Sequence, residues 1–389
     1  MERFLSERVR DLRITGIREI VLLAQGRPGI IRLDVGEPDF DPPPHVRATA
    51  KQAIDDGGLG YTSYSGIPEL RRLIAEKLAR DNRIPVDPET QVIVTVGATA
   101  AMYLATQALI NPGDEVLTPE MAWPQGHTIV ALSGAAVVPY PLRKERAFAP
   151  DPVDLAARVT PKTKAIMLNS PGNPTGAVTG EADLAAIAAI ARRHDLLVIT
   201  DEVYEKMVYD GHRHISIASL EGMAERTITI NAVSKTYAMT GWRLGYVAGP
   251  APLIQQMGRL ALYVYSCPST LSQRAAVAAL GGPQEEVGRM VAEYRKRRDL
   301  FGEALAGLPG VRCPRPAGAF YLFPDISGLG MSSMDFARFL IQDAGVTCVP
   351  GTAFGPGGEG HVRFSYASSL RALEEAADRI AGAVRKKAG

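Results

Sequence analysis

Cysteine is scarce in this chain, net charge is almost absent and long apolar runs are missing, and each shortage closes off a class of protein. Cys267, Cys313 and Cys348 are the 3 cysteines in 389 residues, too few and too scattered for a disulfide framework or a Cys-x-x-Cys metal pattern. They are expected to be small buried apolar side chains. Lys and Arg number 43 against 42 Asp and Glu, a formal net charge of +1, so no global field draws in nucleic acid or an anionic membrane. No apolar stretch approaches the ~18–20 residues of a membrane span. The opening residues lack the apolar core of a secretory signal, and the expected location is cytoplasmic. Histidine is also rare: His212 and His214 form a His-x-His without further ligands at zinc spacing. Asp210-Gly211-His212-Arg213-His214 therefore reads as a polar loop at a turn, and no metal is expected.

What the chain does have is length and alternation. With 389 residues it exceeds the ~250–300 at which single cores stop growing, so two domains are expected. Strand-like and helix-like segments alternate from about residue 90 to 250, which argues for an α/β fold with a doubly wound, mostly parallel sheet. Beyond Pro268 the pattern changes. Helices are expected over 275–280 and 287–305, a boundary at Pro314-Arg315-Pro316-Ala317-Gly318, and strands over 319–323, 346–350 and 361–365, closed by a helix over 369–385. These describe a smaller α+β unit. At the other end Ile14, Ile17, Ile20, Val21 and Ala24 stand at helical spacing, and 30–35 reads as a strand entering Gly36-Glu37-Pro38-Asp39-Phe40. The expected division is 1–45 joined to the smaller domain, 46–285 as the large domain and 286–389 as the smaller one.

The chemistry concentrates at the ends of strands. Thr227-Ile228-Thr229-Ile230 is a β-branched alternation, so Lys235 lies where a buried strand gives way to a loop. Burial there disfavours the ammonium and leaves an amine able to form a Schiff base. Arg243 follows, always charged and fork-shaped, suited to a phosphate or a carboxylate. Val92-Ile93-Val94-Thr95-Val96 stops at Gly97-Ala98-Thr99, where a helix begins and its free N–H groups and dipole favour an anion. Leu196-Leu197-Val198-Ile199-Thr200 runs into Asp201, which is either a helix cap or a counter-ion at the carboxyl edge of the sheet. Asn169-Ser170-Pro171-Gly172-Asn173-Pro174-Thr175-Gly176 is a turn rich in Asn and Pro, able to aim an amide. Trp123, just past a strand, offers either core volume or a flat face. Arg363 sits in an otherwise apolar strand, at an exposed edge or buried against an anion.

The run Ser234-Lys235-Thr236-Tyr237-Ala238-Met239-Thr240-Gly241-Trp242-Arg243-Leu244-Gly245-Tyr246 resembles the lysine signature of the class I/II aminotransferases, in particular aspartate/aromatic aminotransferase-like members of the fold-type I pyridoxal 5′-phosphate enzymes. The resemblance implies that Lys235 carries pyridoxal 5′-phosphate as an internal aldimine and that Arg243 holds its phosphate. It places that phosphate also on Gly97, Ala98 and the Thr99 hydroxyl. Trp123 would stack on the ring, Asn173 and Tyr204 would meet the ring oxygen, and Asp201 would face the ring nitrogen. Gly36 and Arg363 would contact the substrate, Arg363 through its α-carboxylate, alongside Trp123 and Asn173. Tyr61 would reach across a homodimer to the partner's phosphate; the plain alternative is a loop tyrosine packed on its own domain. Two departures stand out. Ala232 occupies a position where the family usually has Gly or Ser, leaving Ser234 as the nearby hydroxyl, and Pro-Glu-Met-Ala precedes Trp123 in place of Pro-x-Pro-Gly.

The implied activity is ping-pong transfer of an amino group between an L-amino acid and a 2-oxo acid. The same residues also serve lyases and cyclising enzymes on this scaffold. A cofactor-binding regulatory module is a third reading, opposed by the neutral charge and by the lack of an added DNA-binding segment before Leu33. Thr99 stands where some acidic-substrate members carry a basic residue, which disfavours aspartate as donor. Arg27, Arg32 or a partner arginine remain as sources of a second clamp.

Overall fold

The computed structural model describes residues 2–6, 9, 12 and 16–388, so Ile14 of the opening amphipathic stretch lies outside the described residues. A seven-stranded sheet is built from β1 (Val92–Thr95), β2 (Glu115–Pro119), β3 (Ala136–Tyr140), β4 (Thr163–Asn169), β5 (Leu197–Asp201), β6 (Thr227–Ala232) and β7 (Gly245–Ala248). Its order is β1-β7-β6-β5-β4-β2-β3. Strands β2 to β6 pair in parallel, and β7 alone runs against its neighbours β1 and β6.

The sheet is covered on both faces, and the period of two in its strands decides which side chain meets which layer. Ile93, Ile199, Ile228, Ile230 and Val247 pack with the helices Gly97–Leu109 and Ala251–Tyr265. From the opposite face Val92, Val94, Tyr246 and Ala248 pack with Pro44–Asp55, Pro68–Lys77 and Thr270–Gly281. Leu117, Ile166, Leu168 and Val198 meet Glu181–Arg193. Such continuous burial explains why β1 and β6 contain no exposed residue.

A second sheet, β8 (Tyr321–Leu322), β9 (Val349–Pro350) and β10 (Val362–Ser365), is antiparallel in the order β8-β10-β9. Its core joins Phe301, Phe320, Phe336, Phe364, Leu373 and Ile380 to Ile20 and Leu33 from the start of the chain. Strand lengths here fall short of the sequence reading. Residues 317–319 are tied to the turn after β5: Tyr209 donates to the Ala317 carbonyl and Ala319 to the Met207 carbonyl. Only 321 and 322 remain for the ladder. Likewise 30–35 forms an isolated bridge, Ile31 to Val346, in place of a strand. Thr347 supplies its hydroxyl to the Leu33 N–H at 2.9 Å, where a carbonyl would be needed to extend the pairing. Strands β3 and β7 and the helices Pro44–Asp55, Ala251–Tyr265 and Ser333–Phe339 are additional to the elements read from the sequence. Among the described residues no helix is long and apolar enough to cross a membrane. Cys348 is buried and Cys267 and Cys313 are partly buried; all three are free thiols.

Candidate active site

The carboxyl ends of β1, β4, β5 and β6 open onto one cavity of about 510 Å³ that is closed from the other side by Tyr321 and Arg363 of the smaller sheet. β6 is buried along its whole length and turns directly into the single helical turn Val233–Thr236, which carries Lys235. The Lys235 Nζ donates to the Gly36 carbonyl at 2.5 Å. It lies 5.9 Å from the ring centroid of Tyr204 and 5.7 Å from that of Phe320. Burial, reinforced by the nearby Arg363 charge, lowers its pKa to about 8, against the opposing pull of Glu37. A lysine in this state is neutral in roughly a tenth of molecules at pH 7, far more than an ordinary lysine.

Asp201 ends β5 and projects into the same cavity. Its Oδ1 accepts from the Val203 N–H at 3.2 Å, so it caps the turn as well as facing the cavity. Burial raises its carboxyl to about 6. Tyr204 shares a hydroxyl–hydroxyl hydrogen bond of 2.7 Å with Tyr321. Burial pushes both phenols above their ordinary range, and they remain neutral donors. Tyr321 was not singled out in the sequence; its apolar neighbours made it look like core.

A cup forms where β1 meets the helix Gly97–Leu109. Gly97 has φ +79°, and a Cβ there would lie 2.7 Å from the Arg243 Nη2. Gly245 is equally confined, since its Cβ would come within 2.7 Å of the Ala98 nitrogen. The helix has no side-chain cap at its N-terminus, leaving its first N–H groups to other acceptors. Ala98, Thr99, Ser234 and Arg243 line the cavity beside it. Arg243, itself left-handed at φ 50°, donates to the Thr240 carbonyl at 3.0 Å. Among the described residues it makes no ion pair.

Arg363 is buried, only 3% exposed, which decides between the two readings of its strand. Its Nη1 donates to the Asn173 Oδ1 at 2.9 Å and its Nη2 to the Asp34 carbonyl at 2.6 Å, while Nε has no partner. The guanidinium also lies over the rings of Tyr321 at 4.4 Å and Phe354 at 4.9 Å. No carboxylate among the described residues neutralises it. A buried cation without an anionic partner is costly, and an incoming anion would relieve it. The Asp34 side chain is not that anion: burial pushes its carboxyl up, but Arg32 and Thr347 hold it below the ordinary range. Arg32 is thereby committed to Asp34, at 2.7 Å, and is not free to act as a second clamp.

Of the residues read from the sequence, Gly36, Ala98, Thr99, Trp123 and Asn173 share the cavity with Asp201, Tyr204, Ser234, Lys235, Arg243 and Arg363, and Gly97 backs the cup. Tyr61 stands apart, 94% exposed on its own loop. The structure adds Ile17, Val21 and Glu37 at the rim, Glu37 accepting a short hydrogen bond from Thr240. His214 differs most from the sequence reading. It leaves the polar loop and buries its ring against Glu202, the residue after β5, at 2.9 Å. Donor atoms of Glu202, Glu205 and His214 lie within 4.8 Å of one another, but the Lys77 ammonium pairs with Glu205 there and supplies the positive charge.

The donor set suits pyridoxal 5′-phosphate: an amine for the aldehyde, a recessed acid for the pyridine nitrogen, and a glycine-lined cup with a guanidinium for the phosphate. Known proteins resemble the chain over nearly its whole length. Residues 28–380 match the family model of aminotransferase class I and II. Aromatic-amino-acid aminotransferase 2 of Thermococcus litoralis is 44% identical over 98% of this chain and 99% of that protein. An aspartate aminotransferase of Pyrococcus abyssi is 45% identical over 98% and 99%. The crystal structure of the aspartate aminotransferase of Rhizobium meliloti superposes with a TM-score of 0.94 at 37% identity, covering 98% of each chain. The chain belongs to the aminotransferase class I and II family and is a transaminase of the fold-type I α/β architecture.

Proposed function

We propose that this transaminase moves an amino group between an L-amino acid and a 2-oxo acid with pyridoxal 5′-phosphate held by Lys235, Asp201 and the Gly97–Arg243 cup. One observation carries the reading. A single cavity holds an amine lowered to about 8, a carboxylate raised to about 6 and two guanidinium groups that make no ion pair among the described residues. When bound, the protonated pyridine ring supplies an electron sink for charge that develops at the substrate Cα.

The chain's own residues account for the rest. Ala98 and Thr99 at the helix N-terminus, with Ser234 and Arg243, would hold the phosphate. Asp201 would retain positive charge at the ring nitrogen, and Trp123 would offer its flat face to the ring. Tyr204 would donate to the ring oxygen. Asn173 spends its Oδ1 on Arg363, leaving its amide N–H for the same oxygen. Arg363 receives the substrate α-carboxylate and orients Cα toward Lys235, whose neutral amine removes the proton and later returns it. Gly36, now hydrogen-bonded to Lys235, lines the substrate side. Both half-reactions use one site, so the kinetics are ping-pong.

The same reading includes a homodimer in which Tyr61 reaches the partner's phosphate. Supporting it, Tyr61 is 94% exposed, and the helix Ala251–Tyr265 ends in the exposed Leu262, Tyr263 and Val264, an apolar group on the surface. It also includes the division at 1–45, 46–285 and 286–389, supported by the hydrogen bond from the Ser365 N–H to the Leu33 carbonyl.

The test is a single turnover without acceptor. Enzyme loaded with cofactor and mixed with an amino acid should release one equivalent of 2-oxo acid and stop until a second 2-oxo acid is added. Continuous release of ammonia would instead identify a lyase. Repeating the assay with aspartate, phenylalanine and alanine identifies the donor.

A further inference from the structure

The last residue of β5 and the one after it are both acids, and they leave the chain on opposite sides. Asp201 enters the cavity, and Glu202 points into the protein behind it, 1% exposed. Glu202 accepts from Ser216 at 2.8 Å and Thr200 at 3.3 Å through one oxygen, and from His214 at 2.9 Å and Asn82 at 3.4 Å through the other. Glu205, 7% exposed, pairs with Lys77 and accepts from Asn82 at 2.7 Å. Lys77 in turn donates to the Asn82 Oδ1 at 2.7 Å. Segments 68–82, 202–205 and 214–216 thus meet in one buried polar cluster.

Charge in that cluster is unequal without the histidine, since two carboxylates face one ammonium. Lys77 sits on Glu205 and the amide between, which leaves Glu202 with neutral donors and the His214 ring. Beside the cluster Asp81 takes two cations, Lys206 at 2.9 Å and the exposed Arg80, and neither of them pairs with Glu202 or Glu205. Tyr237, just past the turn Val233–Thr236, and Tyr246 of β7 pack nearby, and burial pushes both phenols up, so they add no charge. Burial alone would pull the His214 imidazole down; Glu202 and Glu205 outweigh it and raise it, against Lys77. On the cavity side, Glu202 is the negative neighbour that adds to burial in raising Asp201.

We propose that His214, held as an imidazolium against Glu202, is a positioning residue for Asp201. It balances the buried cluster on the reverse side of β5 and so keeps the acid that faces the cavity ionised. The proposal rests on the reading of Asp201 as the counter-charge of the cofactor's ring nitrogen. Removing the His214 proton leaves Glu202 unmatched one residue away, and Asp201 then takes up a proton more readily. Support of this kind, from a group that touches neither ring nor substrate, is common behind functional acids.

The experiment compares His214→Gln, Glu202→Gln and the double variant, measuring the dissociation constant of pyridoxal 5′-phosphate from each cofactor-free protein by fluorescence near pH 8 and the pH titration of the holoenzyme's visible absorbance. His214→Gln should weaken cofactor binding about tenfold and lower kcat with little change in KM. The double variant, in which Lys77 and Glu205 balance, should restore both affinity and absorbance. A purely structural role predicts that the double variant is at least as damaged as the single one. That result, or unchanged binding in His214→Gln, overturns the proposal. If His214→Gln does not fold, the double variant and the wild type still decide: the His214 ring resonances of the holoenzyme should report a charged imidazole at about pH 7.5, and a neutral ring overturns the proposal. Asp201→Asn separates the two levels. Wild-type cofactor affinity and turnover in that variant would sink the reading of the site itself, whereas loss there alongside an unaffected His214→Gln sinks only the present proposal.

Discussion

Arg363 donates from Nη1 to the Oδ1 of Asn173 across 2.9 Å, joining β10 of the small sheet to the turn that follows β4. Two sheets that share no strand thereby place one guanidinium over one cavity. Replacing Arg363 with Lys keeps the charge and loses the fork. The expected cost is that of a charge-assisted hydrogen bond, about 1.5–3 kcal/mol, or a fall of ~10- to 150-fold in kcat/KM. Steady-state kinetics should show it with the amino acid, while cofactor affinity stays unchanged.

Lys235 should behave as an unusually reactive amine in the cofactor-free protein. Its pKa of about 8 is below the 10.5 of a free lysine. Trapping by a small aldehyde and borohydride should therefore rise through a midpoint near 8, with other lysines lagging. Peptide mapping locates the adduct, and Lys235→Ala should abolish both the adduct and turnover.

Asp201 makes the opposite kind of prediction, about stability. Its folded pKa of about 6 lies above the ordinary 3.8. Below about pH 4 the acid is protonated in both folded and unfolded chains and costs nothing. As pH rises past 4 the unfolded chain ionises first, and the penalty is complete above about 6. At 1.36 kcal/mol per unit this amounts to ~3 kcal/mol. Cofactor-free Asp201→Asn should thus gain stability over the wild type by about that amount at pH 8 and show little gain at pH 4, measured by urea unfolding. Its activity should be lost.

Gly97→Ala tests the cup. A side chain at φ +79° costs roughly 1–2 kcal/mol, and its Cβ must also displace the Arg243 Nη2 from 2.7 Å. Weaker binding of pyridoxal 5′-phosphate and of inorganic phosphate is expected, with a smaller effect on pyridoxal itself. Isothermal titration of the cofactor-free protein distinguishes these.

Much of the site was legible because its residues fall where a periodic apolar strand stops. Lys235, Asp201 and Gly97 each follow such a run, and short-range pattern locates them. What pattern does not carry is which distant segments meet. Arg363 has the same local sequence whether it is exposed or buried; only Asn173 and the Asp34 carbonyl decide it. Tyr321 reads as core until Tyr204 is opposite it. His214 reads as a turn residue because its partner Glu202 lies on a different element, and Glu202 was hidden beside the more conspicuous Asp201. β7 escaped because its few residues begin inside the lysine signature, at Gly245, and lack the alternation that marks β6.

β7 runs against both neighbours, so Gly245 enters the sheet beside Thr95 and Ala232, where those strands leave it. The chain that departs at Ala232 returns at Gly245, and Lys235 and Arg243 hang from that one closed loop. Main chain thus fixes the two points from which the lysine and the arginine start, so a shift at either strand end would carry both side chains with it.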